Sequence, residues 1–307
     1  MKIGKIGLLI LTLVFTSLPV SAKDITLPSI GTETGGGRLS PLEEEQFGAA
    51  FMRSVRLQLP ISDDPEVTDY VWNLGYQLVS NSDFNTRPFH FFVVNEAIIN
   101  AFAGPGGYIG INTGLILASQ DENELAAVIA HETAHVSQRH LDRAYSTAEK
   151  LTLPTAAAIV AAILLGGRDI NLAEAALAAT LAANIQTQLN FTRKHETEAD
   201  HIGMQILTAS GFDPFAMARF FERLQQQDRL YDDQVPEFLR THPVTTNRIA
   251  ESKGRASSYD YAPRPKNIQY ALVKEKVRVT GSNNPGNMVK YYEANRKAGI
   301  SADSFAQ

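Results

Sequence analysis

The sequence of 307 residues contains no cysteine. The chain can therefore form no disulfide bond, carry no lipid on an N-terminal cysteine and offer no thiolate ligand to a metal. Any metal site must be built from histidine and carboxylate side chains. Hydrophobic residues make up 44% of the chain, which is ample for one sizeable core.

An excess of positive charge is also missing, because the formal net charge is −5. A chain of this charge has no general attraction for a phosphate backbone. We therefore expect no nucleic acid among its partners.

The sequence has little apolar chain that is long enough to cross a bilayer. The run over residues 6–18 has roughly thirteen residues, whereas a transmembrane helix needs about 17–25. This run follows Lys2 and Lys5 and precedes Val20-Ser21-Ala22, a small-x-small cleavage site. The pattern predicts a signal peptide over residues 1–22 that is cleaved on export to the periplasm, with an uncleaved anchor as the alternative.

A second apolar region, residues 151–189, is rich in alanine and leucine. Gly166-Gly167-Arg168-Asp169 interrupts it, so neither arm is long enough to span a membrane. We expect a packed helical hairpin here, with a membrane-dipping element as the alternative.

The most informative segment begins at His131 and reads H-E-T-A-H. On a helix, His131 and His135 lie one turn apart on one face, so both imidazoles can bind a single metal ion. Glu132 lies close enough to accept a proton from a water molecule without being a ligand itself. The pattern predicts one zinc ion per chain and peptide hydrolysis with Glu132 as the general base.

The flanking residues predict the helix that this spacing requires. Two overlapping capping boxes, Ser119 with Glu122 and Asp121 with Glu124, can begin it. An apolar stripe at helical spacing then continues into the metal-binding turn, and a chance match in a surface helix is the alternative. The residues of that stripe are Leu125, Val128, Ile129, Glu132 and Val136.

The rest of the pattern predicts an α+β fold that is mainly helical, with a small β-sheet beside the active-site helix. Trp72 is expected to pack in the core, and His90 to be a packed or edge residue rather than a ligand. The hairpin at the end of the sheet either covers the core or offers an exposed edge to an extended peptide. Helices are expected over 41–58 and from Pro65, and short strands over 89–94, 101–103 and 108–112.

Two histidines do not complete a metal site, and the later segment FTRKHETEADHIG offers further ligands. On a helix, Glu196, Asp200 and Gly203 fall on one stripe. Glu198 and His201 fall on the opposite, polar face. An unpaired carboxylate is costly to bury, and a metal beside Glu196 removes that cost.

Asp200 and Gly203 have different predicted roles. Gly203 would let its helix approach the helix of His131 closely. Asp200 either holds a ligand histidine in the required tautomer or acts as a proton donor in the cleft. The alternative for these carboxylates is a surface ion-pair patch, which suits Glu198 better than Glu196.

The motifs H-E-T-A-H, E-T-E-A-D and Thr241-His242-Pro243 occur together, with supporting stretches at 88–92, 100–107 and 210–214. This combination resembles the HtpX-type zinc metallopeptidases, and within them the periplasmic BepA-like proteases. The resemblance covers roughly residues 40–255 and implies a zincin-like metallopeptidase domain. The site that it implies has His131, His135 and Glu196 as zinc ligands, Glu132 as general base and Asp200 as proton donor or orienting residue.

His242 has a separate predicted role, because Pro243 stiffens its backbone. It either reaches the zinc as a fourth ligand, which would close the site at rest, or contacts the oxyanion of the transition state. The alternative is a histidine at a helix start, satisfied by Asn247 or by backbone groups. His140, His195 and His201 are not assigned to the metal.

The resemblance also implies substrates and partners. BepA-like proteases are implicated in quality control and assembly of outer-membrane proteins, partly as chaperones. The expected partners are therefore misfolded or stalled outer-membrane polypeptides and the outer-membrane assembly machinery, with no stable transmembrane anchor. The alternative function is a periplasmic chaperone or binding protein with a quiescent zinc site.

The expected domain organisation has four parts. Residues 1–22 form the signal peptide, 23–40 a flexible lead-in, 41–255 the peptidase domain and 256–307 a helical tail. We expect two helices in the tail, over 267–279 and 287–297. No repeat of roughly 34 residues is visible there, so the tail is either naturally short or the truncated start of the repeat domain of BepA-like proteases.

Overall fold

The computed structural model describes residues 39–82, 88–145, 193–230 and 236–297. They all fall in one compact unit, residues 36–307. The predicted signal peptide, the lead-in up to residue 38 and the predicted hairpin over 151–189 lie outside the described residues.

Two capped helices begin the described chain, as predicted. In front of α1 (Pro41–Gln58), the Ser40 hydroxyl accepts the N–H of Glu43, and the Glu43 carboxylate accepts the N–H of Ser40. Asp64 caps α2 (Pro65–Ser80), and each helix has proline in its first turn.

A small three-stranded sheet packs against α2. It contains β1 (His90–Val94), β2 (Ala101–Ala103) and β3 (Tyr108–Asn112), in the order β1-β3-β2. β3 pairs in parallel with β1 and antiparallel with β2. All three residues of β2 are buried, so the hairpin covers the core and its edge is not exposed.

Gly106 and Gly107 allow the turn between β2 and β3. Both have positive φ values, 72° and 78°, in the region where other residues are strained. A Cβ at Gly107 would lie 2.0 Å from the carbonyl oxygen of Pro88. The sharp turn at this point therefore requires glycine.

The prediction for His90 is confirmed, whereas that for Trp72 is not. His90 is exposed and stacks on Tyr108 with 4.7 Å between ring centroids, so it is an edge residue as expected. The prediction for Trp72 is wrong, because its side chain is 48% exposed. Trp72 lies beside the buried stripe of α2 and packs on Tyr76 at its surface, with 4.2 Å between ring centroids.

The remaining elements are helical, which gives the mainly helical α+β fold that was predicted. Among the described helices, none is both long enough and apolar enough to cross a membrane. The helices are α3 (Thr113–Ala118), α4 (Glu122–Ser137), α5 (His140–Tyr145), α6 (Arg193–Ala209), α7 (Ala216–Leu230), α8 (Glu237–Thr241), α9 (Thr246–Ala256), α10 (Ile268–Thr280) and α11 (Pro285–Lys297).

The fold is built around α4. Every residue from Glu124 to Ser137 is buried, because α2, α6, α7 and β2 all pack against this helix. The predicted apolar stripe is therefore one part of a helix that is covered all round, as is typical of the centre of a large core.

The two helices expected in the tail are α10 and α11. Tyr270, Val273 and Val277 of α10 belong to the main hydrophobic core, and the Tyr270 hydroxyl donates to the carbonyl of Ser119 at 2.8 Å. This part of the tail thus packs on the same core as the predicted peptidase domain. The boundary at residue 255 stays a prediction.

Candidate metal centre

The helix that carries the H-E-T-A-H segment begins at Asp121. The Asp121 carboxylate accepts the N–H of Glu124 at 3.0 Å. This is half of the predicted capping box, because the Glu124 carboxylate accepts the N–H of Gln120 rather than that of Asp121. The other predicted cap is wrong, because the Ser119 hydroxyl donates to a carbonyl of α3 and the Glu122 carboxylate accepts the hydroxyl of Tyr70.

Two helices bring three predicted residues together. Nε2 of His131 lies 3.0 Å from Nε2 of His135, both on α4. The Glu196 carboxylate on α6 lies 3.5 Å from each of these nitrogens. All three side chains are buried, so the carboxylate that is distant in the sequence reaches the pair of imidazoles.

Gly203 allows α6 to approach α4 this closely. A Cβ at this position would lie 3.0 Å from the Cα of His131 and 3.1 Å from its nitrogen. Glu196, Asp200 and Gly203 are buried, whereas Glu198 is half-exposed on the other face. The predicted stripe and the predicted close approach are both present.

His242 enters the same site at the end of α8. Its backbone N–H donates to the carbonyl of Phe238 at 2.8 Å, and its ring stacks on that of Phe238. Nδ1 of His242 lies 3.1 Å from Oε1 of Glu196, and Nε2 lies 3.5 Å from Oε1 of Glu132. The interpretation as a helix-start histidine is wrong, because His242 ends a helix.

Four side chains can hold a metal ion here. His131, His135, Glu196 and His242 each offer one ligand atom, and these atoms all lie within 4.8 Å of one another. Three imidazoles and one carboxylate are ligand types that suit zinc. The donor set therefore fits the predicted cofactor.

The Nδ1 atoms of His131 and His135, which face away from the group of ligand atoms, also have surroundings that suit a zinc site. Nδ1 of His131 lies 3.0 Å from Oδ1 of Asp200, and Nδ1 of His135 lies 2.7 Å from Nδ1 of His140. Metal-bound histidines characteristically place their other ring nitrogen against a carboxylate, a backbone carbonyl or a water molecule, and Asp200 is such a partner for His131. Both Nε2 atoms are therefore directed at a common point.

Glu132 lies beside these ligand atoms and is fully buried. Neither of its carboxylate oxygens forms a hydrogen bond to another side chain among the described residues, and the backbone of Ala103 lies beside the carboxylate. Burial raises the pKa of Glu132, so the carboxylate has a stronger tendency to take up a proton than an exposed glutamate has.

Asp200 has the opposite electrostatic character. Burial would raise its pKa, but Arg248 and His131 outweigh burial and lower the pKa below its ordinary value. A carboxylate that stays ionised beside an arginine can orient the imidazole of His131, but it has no proton to donate near neutral pH.

Arg248 is the residue of this site that the sequence interpretation missed. Its Nε and Nη2 each donate to Asp200 at 2.7 Å, and its Nη1 lies 2.9 Å from Glu196 and from the carbonyl of Pro243. It connects the carboxylates of α6 with the segment that follows His242. The signal that could have indicated it is the buried pair of carboxylates, which needs a cation.

His140 was not assigned to the metal, and it offers no ligand atom, but it contacts the ligand histidine His135. The helix does not continue at that point, because α4 ends at Ser137 and Arg139 has a φ of +55°. The bend returns the ring of His140 to the site as α5 begins. His195 lies outside the ligand group and stacks on His140, with 4.5 Å between ring centroids.

Comparison with known proteins agrees with this geometry. Residues 65–256 match the model of Peptidase family M48. The "Putative beta-barrel assembly-enhancing protease" of Vibrio cholerae is 39% identical over 272 residues, which cover 88% of this chain and 56% of that protein. The "Beta-barrel assembly-enhancing protease" of Escherichia coli is 40% identical over 263 residues, covering 85% and 53%.

A more distant relative is the "Mitochondrial metalloendopeptidase OMA1" of Schizosaccharomyces pombe, 30% identical over 182 residues, which cover 59% of this chain and 51% of that protein. The chain thus spans about half the length of the curated relatives that it matches. The resemblance to BepA-like proteases is confirmed. The matched region contains both α4 and α6, and the chain belongs to Peptidase family M48.

Proposed function

We propose that the protein is a zinc-dependent endopeptidase in which His131, His135 and Glu196 bind the metal. The observation that carries this proposal is the convergence of an α4 histidine pair with a carboxylate from α6. Their ligand atoms lie within 4.8 Å of one another. Membership of a peptidase family supports the same conclusion.

The proposed mechanism is hydrolysis with Glu132 as the general base. When bound, zinc would polarise the scissile carbonyl and lower the pKa of water towards about 7. Glu132 accepts the proton of the attacking water and passes it to the leaving amine. Its burial and raised pKa support this role.

Asp200 acts in this proposal by positioning His131. Of the two roles predicted for it, orientation is the better supported, because Arg248 and Nδ1 of His131 occupy both of its oxygens. With its hydrogen on Nδ1, which lies 3.0 Å from Oδ1 of Asp200, His131 presents the lone pair of Nε2 to the metal.

We propose that the substrates are misfolded or stalled outer-membrane polypeptides and that the protein works in the periplasm. Two relatives are named beta-barrel assembly-enhancing proteases. The predicted signal peptide over residues 1–22 is consistent with export. The outer-membrane assembly machinery is the partner that this function requires.

Removal of the metal is expected to abolish peptide cleavage. Protein treated with a strong chelator should lose casein cleavage, and re-addition of one equivalent of zinc per chain should restore it, because the attacking water is activated only when the metal is bound. Metal content and cleavage are measured on the same samples. Full activity of the metal-free protein would exclude the proposed mechanism.

We also propose that His242 is the fourth ligand and closes the site at rest. A catalytic zinc keeps one position for water, and Nδ1 of His242 lies 3.1 Å from Oε1 of the ligand Glu196. The ring is buried and directed into the group of ligands.

Replacement of His242 with alanine is expected to raise basal cleavage of casein several-fold, because water and substrate then reach the open position. Zinc should remain bound by the other three ligands. His201→Ala, on the polar face of α6, is the matched control and should leave cleavage unchanged. Unaltered activity together with unaltered zinc affinity in His242→Ala would contradict any role for this histidine.

A further inference from the structure

We propose, on the basis of the function proposed above, that His140 is a positioning residue for the zinc ligand His135 and that it acts through a hydrogen-bonded chain ending at Glu198. His140 is completely buried. Nδ1 of His140 lies 2.7 Å from Nδ1 of His135, and its Nε2 lies 3.3 Å from Oε2 of Glu198.

The tautomers in this chain follow from the carboxylate at its end. An ionised carboxylate only accepts hydrogen bonds, and a neutral imidazole has one donor and one acceptor nitrogen. Nε2 of His140 therefore carries its hydrogen towards Glu198, and Nδ1 of His140 accepts. Nδ1 of His135 then carries the hydrogen between the two rings, which leaves Nε2 of His135 with a lone pair for the metal.

The surroundings hold His140 in this position. The bend at Arg139 sets the direction of its ring, and the ring of His195 lies almost parallel to it, at 16°. Nη2 of Arg143 lies 3.3 Å from the same Glu198 oxygen that faces His140. Arg143 thereby keeps the Glu198 carboxylate charged and in place at the end of the hydrogen-bonded chain.

The two zinc ligands on α4 thus have different partners at Nδ1, the ring nitrogen that faces away from the metal. His131 contacts the carboxylate of Asp200 directly, whereas His135 reaches a carboxylate only through a second imidazole. Loss of such an outer partner typically weakens metal binding by about 10–100-fold. His140 then strengthens metal binding although it offers no ligand atom itself.

Two substitutions at His140 separate hydrogen bonding from packing. In His140→Asn the amide oxygen can occupy the position of Nδ1 and accept the hydrogen of His135, whereas His140→Leu fills the space without an acceptor. His201→Leu is the matched control for loss of a histidine. Zinc affinity is measured by chelator competition, ligand geometry by the absorption spectrum of the cobalt-substituted protein, and folding by the melting temperature of the metal-free protein.

The expected result is that His140→Leu weakens zinc binding by about 10–100-fold and alters the cobalt spectrum. His140→Asn should stay nearer the wild type in both measurements. Equal zinc affinity and an identical cobalt spectrum in the wild type and His140→Leu would overturn the inference, and so would an equal loss in both His140 variants. Wild-type protein that binds no zinc would overturn the proposed function as well.

Glu198→Gln tests the last group of the hydrogen-bonded chain. Glu198 is half-exposed, so its replacement does not put folding at risk. A neutral amide no longer requires the hydrogen on Nε2 of His140, so zinc affinity should fall, by less than in His140→Leu. Wild-type affinity in Glu198→Gln would show that the carboxylate has no part in positioning, and would overturn the proposed chain even if His140→Leu fails to fold.

Discussion

Replacement of Glu132 with glutamine is expected to lower peptide cleavage by about 10²–10⁴-fold, the usual contribution of a general acid–base group. Glutamine has nearly the same shape but cannot accept the proton of the attacking water. Glu132 lies outside the group of four potential ligands, so zinc should remain bound at one ion per chain. Casein cleavage and metal content of the purified variant check both statements.

Glu251→Gln is the matched control, because Glu251 is an exposed carboxylate on α9. It should leave cleavage unchanged. Retained proteolysis in Glu132→Gln would refute the assignment of the general base. If Glu132→Gln loses cleavage but still supports outer-membrane protein assembly in cells, the alternative function of a chaperone with a quiescent zinc site is favoured.

Replacement of Arg248 with leucine is expected to lower the free energy of unfolding by about 3–5 kcal/mol, the usual cost of breaking a buried ion pair. Arg248 donates two hydrogen bonds to Asp200 and lies 2.9 Å from Glu196. Both carboxylates are buried, and removal of the guanidinium takes away the cation that offsets the burial of Asp200. Urea unfolding of the metal-free protein measures the loss.

Arg240→Leu is the control for the loss of an arginine ion pair. Arg240 pairs with Glu237 at the surface, and its side chain is 63% exposed, so its replacement should change the free energy of unfolding by no more than about 1 kcal/mol. Arg248→Lys keeps the charge but not the paired geometry and should lie between the two. Wild-type stability of Arg248→Leu would show that Asp200 does not depend on this cation.

The predictions that succeeded depend on local spacing. Residues one helical turn apart share a face in any helix, so His131 and His135, and likewise Glu196 and Asp200, could be assigned to one side before the fold was known. Caps such as that of Ser40 with Glu43 act within a few residues and mark where helices begin. The glycine-rich turn between β2 and β3 is local in the same sense.

The predictions that failed concern contacts between distant parts of the chain. Trp72 was expected in the core because it lies beside the apolar stripe of α2, but no element among the described residues covers that side of the helix enough to bury it. His140 was not assigned to the metal and offers no ligand atom, but its contact with His135 was not predicted, because the bend at Arg139 interrupts the helical spacing. Arg248 gave no periodic signal, because its partners lie on α6 and in the segment after His242.

Residue order alone thus indicated which side chains can bind a metal and on which helix faces they lie, and it predicted Glu132 as the proton acceptor, since each inference depends on neighbours a few positions away. The packing of α6 on α4, made close by Gly203, decided that Glu196 meets the two histidines. The same packing decided which groups support them, because Arg248, His140 and His242 reach the site only when separate elements fold together.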